Sequence, residues 1–406
     1  MVSALTRIFG LENLALAEDV VQDAFCRALS LWPLRGVPDN PSAWLMRTAN
    51  NRAIDVLRRE RTARTSVPEL ERLLASEWTL VPTVSELFGA ASIKDDQLRM
   101  MFSCCHPRLP EQSQVALILH LLCGFSVSEV AGAFLAGEPG IEKRLSRAKK
   151  VLAASKELFD FSDREFPARL NAVQRAIYLL FNEGYHGASA QSAVRTELCR
   201  EAMRLGATLL EHSRSATPSS HALCALFWLD AARLPARLDA AGDLRPLAAQ
   251  DRSLWDRDLI AQGRRHLEGA AAGEEPTQYH LEAAIAAVHA SASTFADTDW
   301  AAIVTLYETL MLLRPSPVIA LNRAIAIAQL EGPVRGLEEL ELIADRDRLG
   351  AYPFYPAAFG ELELTRGRRN AARAHFIAAL ALARNPAERR FLQRRVDACL
   401  SHHVMS

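Results

Sequence analysis

The sequence has no apolar run long enough to cross a bilayer and almost no alternating runs of β-branched residues. The first absence excludes transmembrane helices, which need about 20 apolar residues in a row. The second argues against a sheet. No basic stretch precedes the short apolar N-terminus, which Glu12, Glu18 and Asp19 interrupt, so it does not read as a secretory signal. Seven cysteines (26, 104, 105, 123, 199, 224, 399) form an odd set with no C-x-x-C spacing. They fit free thiols in a reducing compartment, and a soluble cytoplasmic protein is expected, with no membrane association.

Signatures of catalysis are missing as well. There is no phosphate loop and no nucleophile elbow. Cys104-Cys105-His106 lacks the spacing to close a tetrahedral metal site, and His280 and His289 sit nine apart without a carboxylate pattern. The sequence is therefore read as a non-enzyme, with no catalytic residue, no metal and no cofactor. The segments Phe181-Asn-Glu-Gly-Tyr185 and Asp297-Thr-Asp-Trp300 are assigned to turn and N-cap chemistry.

What is present points to helices. Half of the 406 residues are apolar, enough for two to four domains with cores of their own, and Ala, Leu, Arg and Glu dominate. The fold class expected is all-α. A net charge of -1 conceals two basic segments. In one, Arg47, Arg52, Arg58, Arg59, Arg61 and Arg64 stand against Asp55 and Glu60; in the other, Lys143, Arg144, Arg147, Lys149, Lys150 and Lys156 stand against Glu138 and Glu142. Two such segments in a neutral chain suggest polyanion contact at two places, although cations also serve simply to solvate helix faces.

The expected organisation has a first helical block over residues 1–62, then a linker at 63–92 with one marginal helix at 69–76. A second helical block covers 93–156 and a larger one 167–406. In the last, setting Gly332 on Gly367 at an offset of 35 residues matches 319–342 to 354–377, each a helix, a Gly turn and a second helix. Another helix pair is expected at 281–295 and 300–313, closed by Pro315-Ser-Pro317. Paired helices repeating near 34 residues are the tetratricopeptide pattern, here in degenerate form over 280–386.

Asn40-Pro41 is a helix start, with Asn as N-cap and Pro at the first helical position. At 100° per residue, Trp44, Arg47, Asn51, Asp55, Arg58 and Arg59 share a stripe, and Leu45, Ala49, Ala53, Val56 and Leu57 lie opposite. An aromatic can stack on an unpaired base, amides read base edges and arginines hold phosphates. Trp44 equally fits a partly buried packing residue. The preceding helix, Ala17 to Leu31, is expected to bury Val20, Val21, Ala24, Phe25, Ala28 and Leu29. It would then expose Glu18, Asp19, Gln22, Asp23 and Cys26 as a docking surface or an ordinary solvated face.

Further on, a helix over 109–123, a turn at Gly124-Phe-Ser126 with Ser126 as N-cap, a short helix over 127–135 and a helix from Pro139 to Leu152 form a helix-turn-helix arrangement. On the last helix Ile141, Leu145, Ala148 and Leu152 form the inner stripe. Lys143, Arg144, Ser146, Arg147 and Lys150 are the candidate groove-facing residues. A plain helical bundle is the competing reading.

Together these blocks resemble the extracytoplasmic-function (group IV) sigma factors. Residues 17–25 (Ala-Glu-Asp-Val-Val-Gln-Asp-Ala-Phe) look like region 2.2, which implies that Glu18, Asp19, Gln22 and Asp23 bind core RNA polymerase. Residues 40–59 look like regions 2.3–2.4, which melt and read the −10 promoter element, and 109–149 look like region 4, which binds the −35 element. Segments at 102–107, 181–185, 250–255, 298–300, 306–310 and 317–324 resemble one branch, the ECF42 group with a tetratricopeptide-like extension, over essentially the whole chain. That resemblance implies promoter DNA and core polymerase as partners, an extension in place of a dedicated anti-sigma factor, a possible protein partner for the repeats, and targets of the DGPF/YCII type. The chain departs from the group in Leu306-Tyr-Glu-Thr-Leu310, where Leu-Tyr-Asp-Ala-Leu is usual. It also lacks a helix's worth of residues before Leu5, so a late start or an incomplete clamp-binding surface is expected. The weakly acidic linker (Glu69, Glu71, Glu77, Glu86) would thread near the RNA exit path. The readings that compete are a tetratricopeptide adaptor and a stand-alone helix-turn-helix regulator that never joins polymerase.

Overall fold

The computed structural model describes residues 1–10, 13–62, 96–154, 165–187, 192–273 and 275–400. The expected linker, with its marginal helix and its four glutamates, lies outside the described residues. Among those described, regular structure is helical apart from one isolated bridge between Leu238 and Leu244. Contacts divide the chain into two compact units, residues 1–130 with 137–176, and residues 131–136 with 177–406.

The first unit opens with α1 (Val2–Phe9), α2 (Leu14–Arg35) and α3 (Pro41–Thr62). The Asn40 side chain accepts from the Ala43 N–H at 3.0 Å with Pro41 beginning the helix, the N-cap read from the sequence. Small residues (Ala17, Ala24, Ala28, Ala49, Ala53) line the α2–α3 seam, and Leu5, Val20, Val21 and Leu45 fill the rest of the core. Phe25 and Leu29 correct the sequence reading: they are 47% and 77% exposed. The buried stripe Ala17, Val20, Val21, Ala24 and Ala28 is narrow. At 100° per residue Phe25 and Leu29 fall about 85° and 125° from its centre.

Next come α4 (Asp96–Cys104), α5 (Glu111–Leu121), α6 (Val127–Phe134), α7 (Glu138–Ala153) and α8 (Phe166–His186). Ser126 caps α6 as expected, and reciprocally: its Oγ accepts from the Glu129 N–H at 3.1 Å, and Glu129 Oε2 accepts from the Ser126 N–H at 2.8 Å. Gly124, at φ +74°, makes the turn before it. The 102–107 segment is packing material. Phe102 stacks on Phe166 at 5.3 Å, and Arg169 Nη1 donates to the Phe102 carbonyl at 3.1 Å. Burial pushes the Cys104 thiol up to about 12, far from a reactive thiolate.

The second unit comprises the end of α8, then α9 (Thr196–Leu210), α10 (Pro218–Ala231), α11 (Leu234–Arg237), α12 (Arg257–Ala270), α13 (Gln278–Ser291) and α14 (Trp300–Leu313). After these come α15 (Pro317–Glu331), α16 (Pro333–Glu341), α17 (Phe354–Thr365), α18 (Arg369–Ala381) and α19 (Pro386–Leu400). Helix α10 is buried on all sides (Leu223, Cys224, Ala225, Phe227, Leu229), as a central helix must be if it is apolar all round. The aligned glycines Gly332 and Gly367 both take positive φ, +97° and +76°, between α15 and α16 and between α17 and α18. Gly332 alone links α15 to α16, whereas Arg366, Gly367 and Arg368 link α17 to α18.

Residues 181–185 are not a turn. They end α8, with Phe181 stacked on Phe227 at 4.5 Å and the Gly184 carbonyl accepting from the Arg195 N–H at 2.7 Å. Asp299 does cap α14, accepting from the Ala302 N–H at 2.9 Å. Buried Arg252 donates to the His289 and Ala292 carbonyls at 2.6 and 2.8 Å and to Thr298 Oγ1 at 2.9 Å. It satisfies carbonyls at the end of α13 that the helix itself leaves open.

Candidate nucleic-acid interface

On α3, Leu45, Ala49 and Ala53 are buried while Arg47, Asn51 and Asp55 are exposed, three to four residues apart along one face. Trp44 is half-buried: its ring meets the edge of Trp32 at 5.5 Å and packs on the region's core. It heads the row as an anchored ring and not as a free one. The side chains of Arg58 and Arg59 lie outside the described residues.

On α7, Ile141, Leu145, Ala148 and Leu152 are buried, as the spacing predicts. Lys143, Ser146, Arg147 and Lys150 are exposed at i, i+3, i+4 and i+7, a single polar stripe, and Arg144 is half-buried beside it. Such a stripe can grip phosphates with its cations and meet base edges with its hydroxyl.

On α2, Asp19, Gln22 and Asp23 are exposed. Glu18 is not: its carboxylate accepts from Lys149 Nζ of α7 at 2.8 and 2.9 Å, leaving it mostly covered. Asp23 pairs with Arg52 of α3 at 3.2 Å. Local periodicity says nothing of partners 131 and 29 residues away. Phe25 and Leu29 continue the Gln22 face by one and two turns, so the surface is mixed acidic and apolar. Sequence reading missed these two. A narrower inner stripe, set by the alanines, was the signal that could have found them.

Comparison with known proteins fits this geometry. Residues 1–63 match the family described as Sigma-70 region 2 and residues 99–152 the family described as Sigma-70, region 4. Residues 169–271 match a family of unknown function (DUF6596). An uncharacterized protein of Rhizobium meliloti (strain 1021) is 40% identical over 395 residues, covering 97% of this chain and 92% of that protein. No described helix is long and apolar enough to cross a membrane. With both promoter-recognition regions in one chain, each presenting its polar helix face, the protein belongs to one family with the R. meliloti protein, and its Sigma-70 regions 2 and 4 indicate a sigma factor of the extracytoplasmic-function type.

Proposed function

We propose that this sigma factor docks on core RNA polymerase through the α2 face of Asp19, Gln22 and Asp23, with Phe25 and Leu29 supplying the apolar part. Glu18 joins that face once its bond to Lys149 opens. Arg47, Asn51 and Asp55, with Arg58 and Arg59 beyond them, engage the −10 element next to the anchored Trp44 ring. Holding bases out of the stack costs a few kcal/mol, which polymerase contacts offset. Lys143, Arg144, Ser146, Arg147 and Lys150 hold the −35 major groove. The observation that carries this reading is that one chain pairs two exposed polar helix faces, on α3 and α7, each backed by a packed apolar stripe.

The extension is read as tetratricopeptide-like and as the element that controls activity, in the manner of the ECF42 group; a positive-φ glycine between the helices of each of two successive pairs supports the repeat. The test is run-off transcription by core polymerase from the DNA upstream of the protein's own coding sequence, with the full chain or with a chain ending at residue 176, where the first unit ends. Transcript with the full chain is expected, with altered yield on truncation: less if the extension activates, more if it inhibits. Absence of transcript together with absence of core binding would overturn the sigma reading. Tight duplex binding without polymerase would favour a stand-alone regulator.

A further inference from the structure

A third basic segment lies at the end of the extension. Between Arg366 and Leu400 nine arginines (366, 368, 369, 373, 384, 389, 390, 394, 395) stand against Glu388 and Asp397. Other segments bring three more carboxylates to them. Glu361 pairs with Arg395, Glu363 with Arg366 and Arg368, and Asp243 with Arg390 and Arg394. Nine cations against five carboxylates leave an excess of four positive charges. By itself such an excess is a solvated surface, or the polar cap that a terminal repeat needs.

Shape sets this one apart. Between α19 and the loop that follows α11 lies a recess of about 270 Å³. Leu244, Pro246 and Phe391 give it apolar lining, Arg245, Arg394 and Arg395 line it with cations, and Asp239 is the one acid among the lining residues. The loop's form is fixed internally. A bridge joins Leu238 to Leu244, Gly242 turns at φ +76°, and Asp239 Oδ1 accepts from the Ala241 and Asp243 N–H groups, each at 2.9 Å. One oxygen of the lining carboxylate is thereby committed to the backbone.

Carboxylates outside the lining hold the two α19 cations. Arg394 donates through Nη1 to Asp243, which also holds Arg390, and Arg395 spends Nε and Nη2 on Glu361. A guanidinium has five N–H donors, so each keeps others after these bonds. Held in this way, they lose little freedom when a ligand arrives. Arg245 is exposed and forms no ion pair among the described residues. Its charge acts on Asp251, whose Oδ1 already accepts from the Ser253 N–H and hydroxyl.

We propose that this recess binds a small ligand that joins an oxyanion, a phosphate monoester or a carboxylate, to an apolar ring. The oxyanion takes spare donors of Arg394 and Arg395 and the charge of Arg245, since planar guanidiniums suit such groups. The ring lies against Phe391, Leu244 and Pro246, the apolar lining typical of small-molecule sites. The volume is near the lower end of the range for such sites, roughly 300–1,000 Å³, which favours one ring with one anionic group. Binding requires neither polymerase nor DNA, so its failure would leave the sigma reading untouched.

The test uses the full chain with phenyl phosphate and benzoate as probes, by calorimetry and by thermal unfolding. Sodium chloride at matched ionic strength and phenol serve as controls. Saturable binding of at least one probe is expected, with a rise in the unfolding midpoint that neither control reproduces. The tighter probe identifies the class of oxyanion. Arg245→Gln, at an exposed site with no ion pair to break, should weaken binding about tenfold and leave unfolding without probe unchanged. Pro246→Trp, placed to fill the recess, should weaken it at least as much. Arg389→Gln removes an exposed α19 cation that does not line the recess, and should keep wild-type affinity. No saturable binding, an equal effect of chloride, an equal loss in Arg389→Gln, or wild-type affinity in either recess variant overturns the proposal.

Discussion

Arg47 and Arg147 of the first unit and Arg237 and Arg252 of the second serve opposite ends. In the first, Arg47 and Arg147 stand on exposed helix faces over apolar stripes, their guanidiniums left to solvent. In the second, Arg237 and Arg252 are buried and stacked on aromatic rings. The difference lies in what the neighbouring chain provides. Along α3 and α7 the nearest residues in space are one helical turn away, so a basic run in sequence becomes a basic stripe on the surface. Around Tyr185 and Trp255 the cations come from separate segments, and only packing gathers them. A charge count along the chain finds the first kind and passes over the second.

Removing Arg252 should break this contrast most strongly. Arg252→Ala leaves two carbonyls and a hydroxyl without their donor and empties the stack on Trp255, which should lower unfolding stability by about 3 kcal/mol. Urea denaturation measures it, and a loss below about 0.5 kcal/mol, typical of surface sites, would mean the buried arginine is structurally idle.

The same neighbourhood should impose a pH dependence. Burial first, then the Arg233 and Arg252 charges, lower the His289 pKa from 6.5 to about 3. Between those values the unfolded chain binds the extra proton, so stability rises with pH. His289 therefore contributes stability that is complete above about pH 6.5 and drains away as pH falls toward 3. Its contribution to the slope is at most about 1.4 kcal/mol per pH unit. In denaturation followed from pH 7 downward, His289→Phe should flatten the curve. An unchanged slope would assign the acid sensitivity elsewhere.

Exposed cations should behave in the reverse manner. Arg147→Ala with Lys150→Ala should leave stability within about 0.5 kcal/mol of wild type. Promoter complex formation with core polymerase should fall roughly tenfold, about 1.4 kcal/mol. The salt dependence should shallow by about two phosphate contacts' worth. Filter binding across a salt series would read both, and an unaltered slope would remove α7 from the phosphate contacts. The smallest effect belongs to the Glu18–Lys149 bridge, which is partly solvated. Glu18→Gln should cost less than about 1 kcal/mol. If the pair also restrains the α2 face, the variant should bind core polymerase more readily than wild type in a pull-down at low salt.

Much of the first unit was legible because its signals are local. The Asn40 cap, the Ser126 cap and the inner stripe of α7 follow from spacing within one or two turns. Trp44 could be read either way, since its burial depends on Trp32, which arrives from another helix. Turning every large apolar residue on α2 inward misplaces Phe25 and Leu29. Alanines make up much of the core that α2 and α3 share, and only a narrow stripe of α2 is buried. In 181–185, Asn and Gly suggest a turn. Packing of Phe181 and Tyr185 against the second unit's core keeps it helical.

By itself, then, the sequence determined that this protein is helical, that two polar helix faces stand in order along it, and that helix pairs recur near its end. Those features depend on the helical period and on caps, which act over a few residues. Tertiary structure alone decided that Lys149 closes on Glu18, that Phe25 and Leu29 remain outside, and that Arg237 is buried against the Tyr185 ring. Burial of a charge is set by which distant segments surround it, and no local pattern records that.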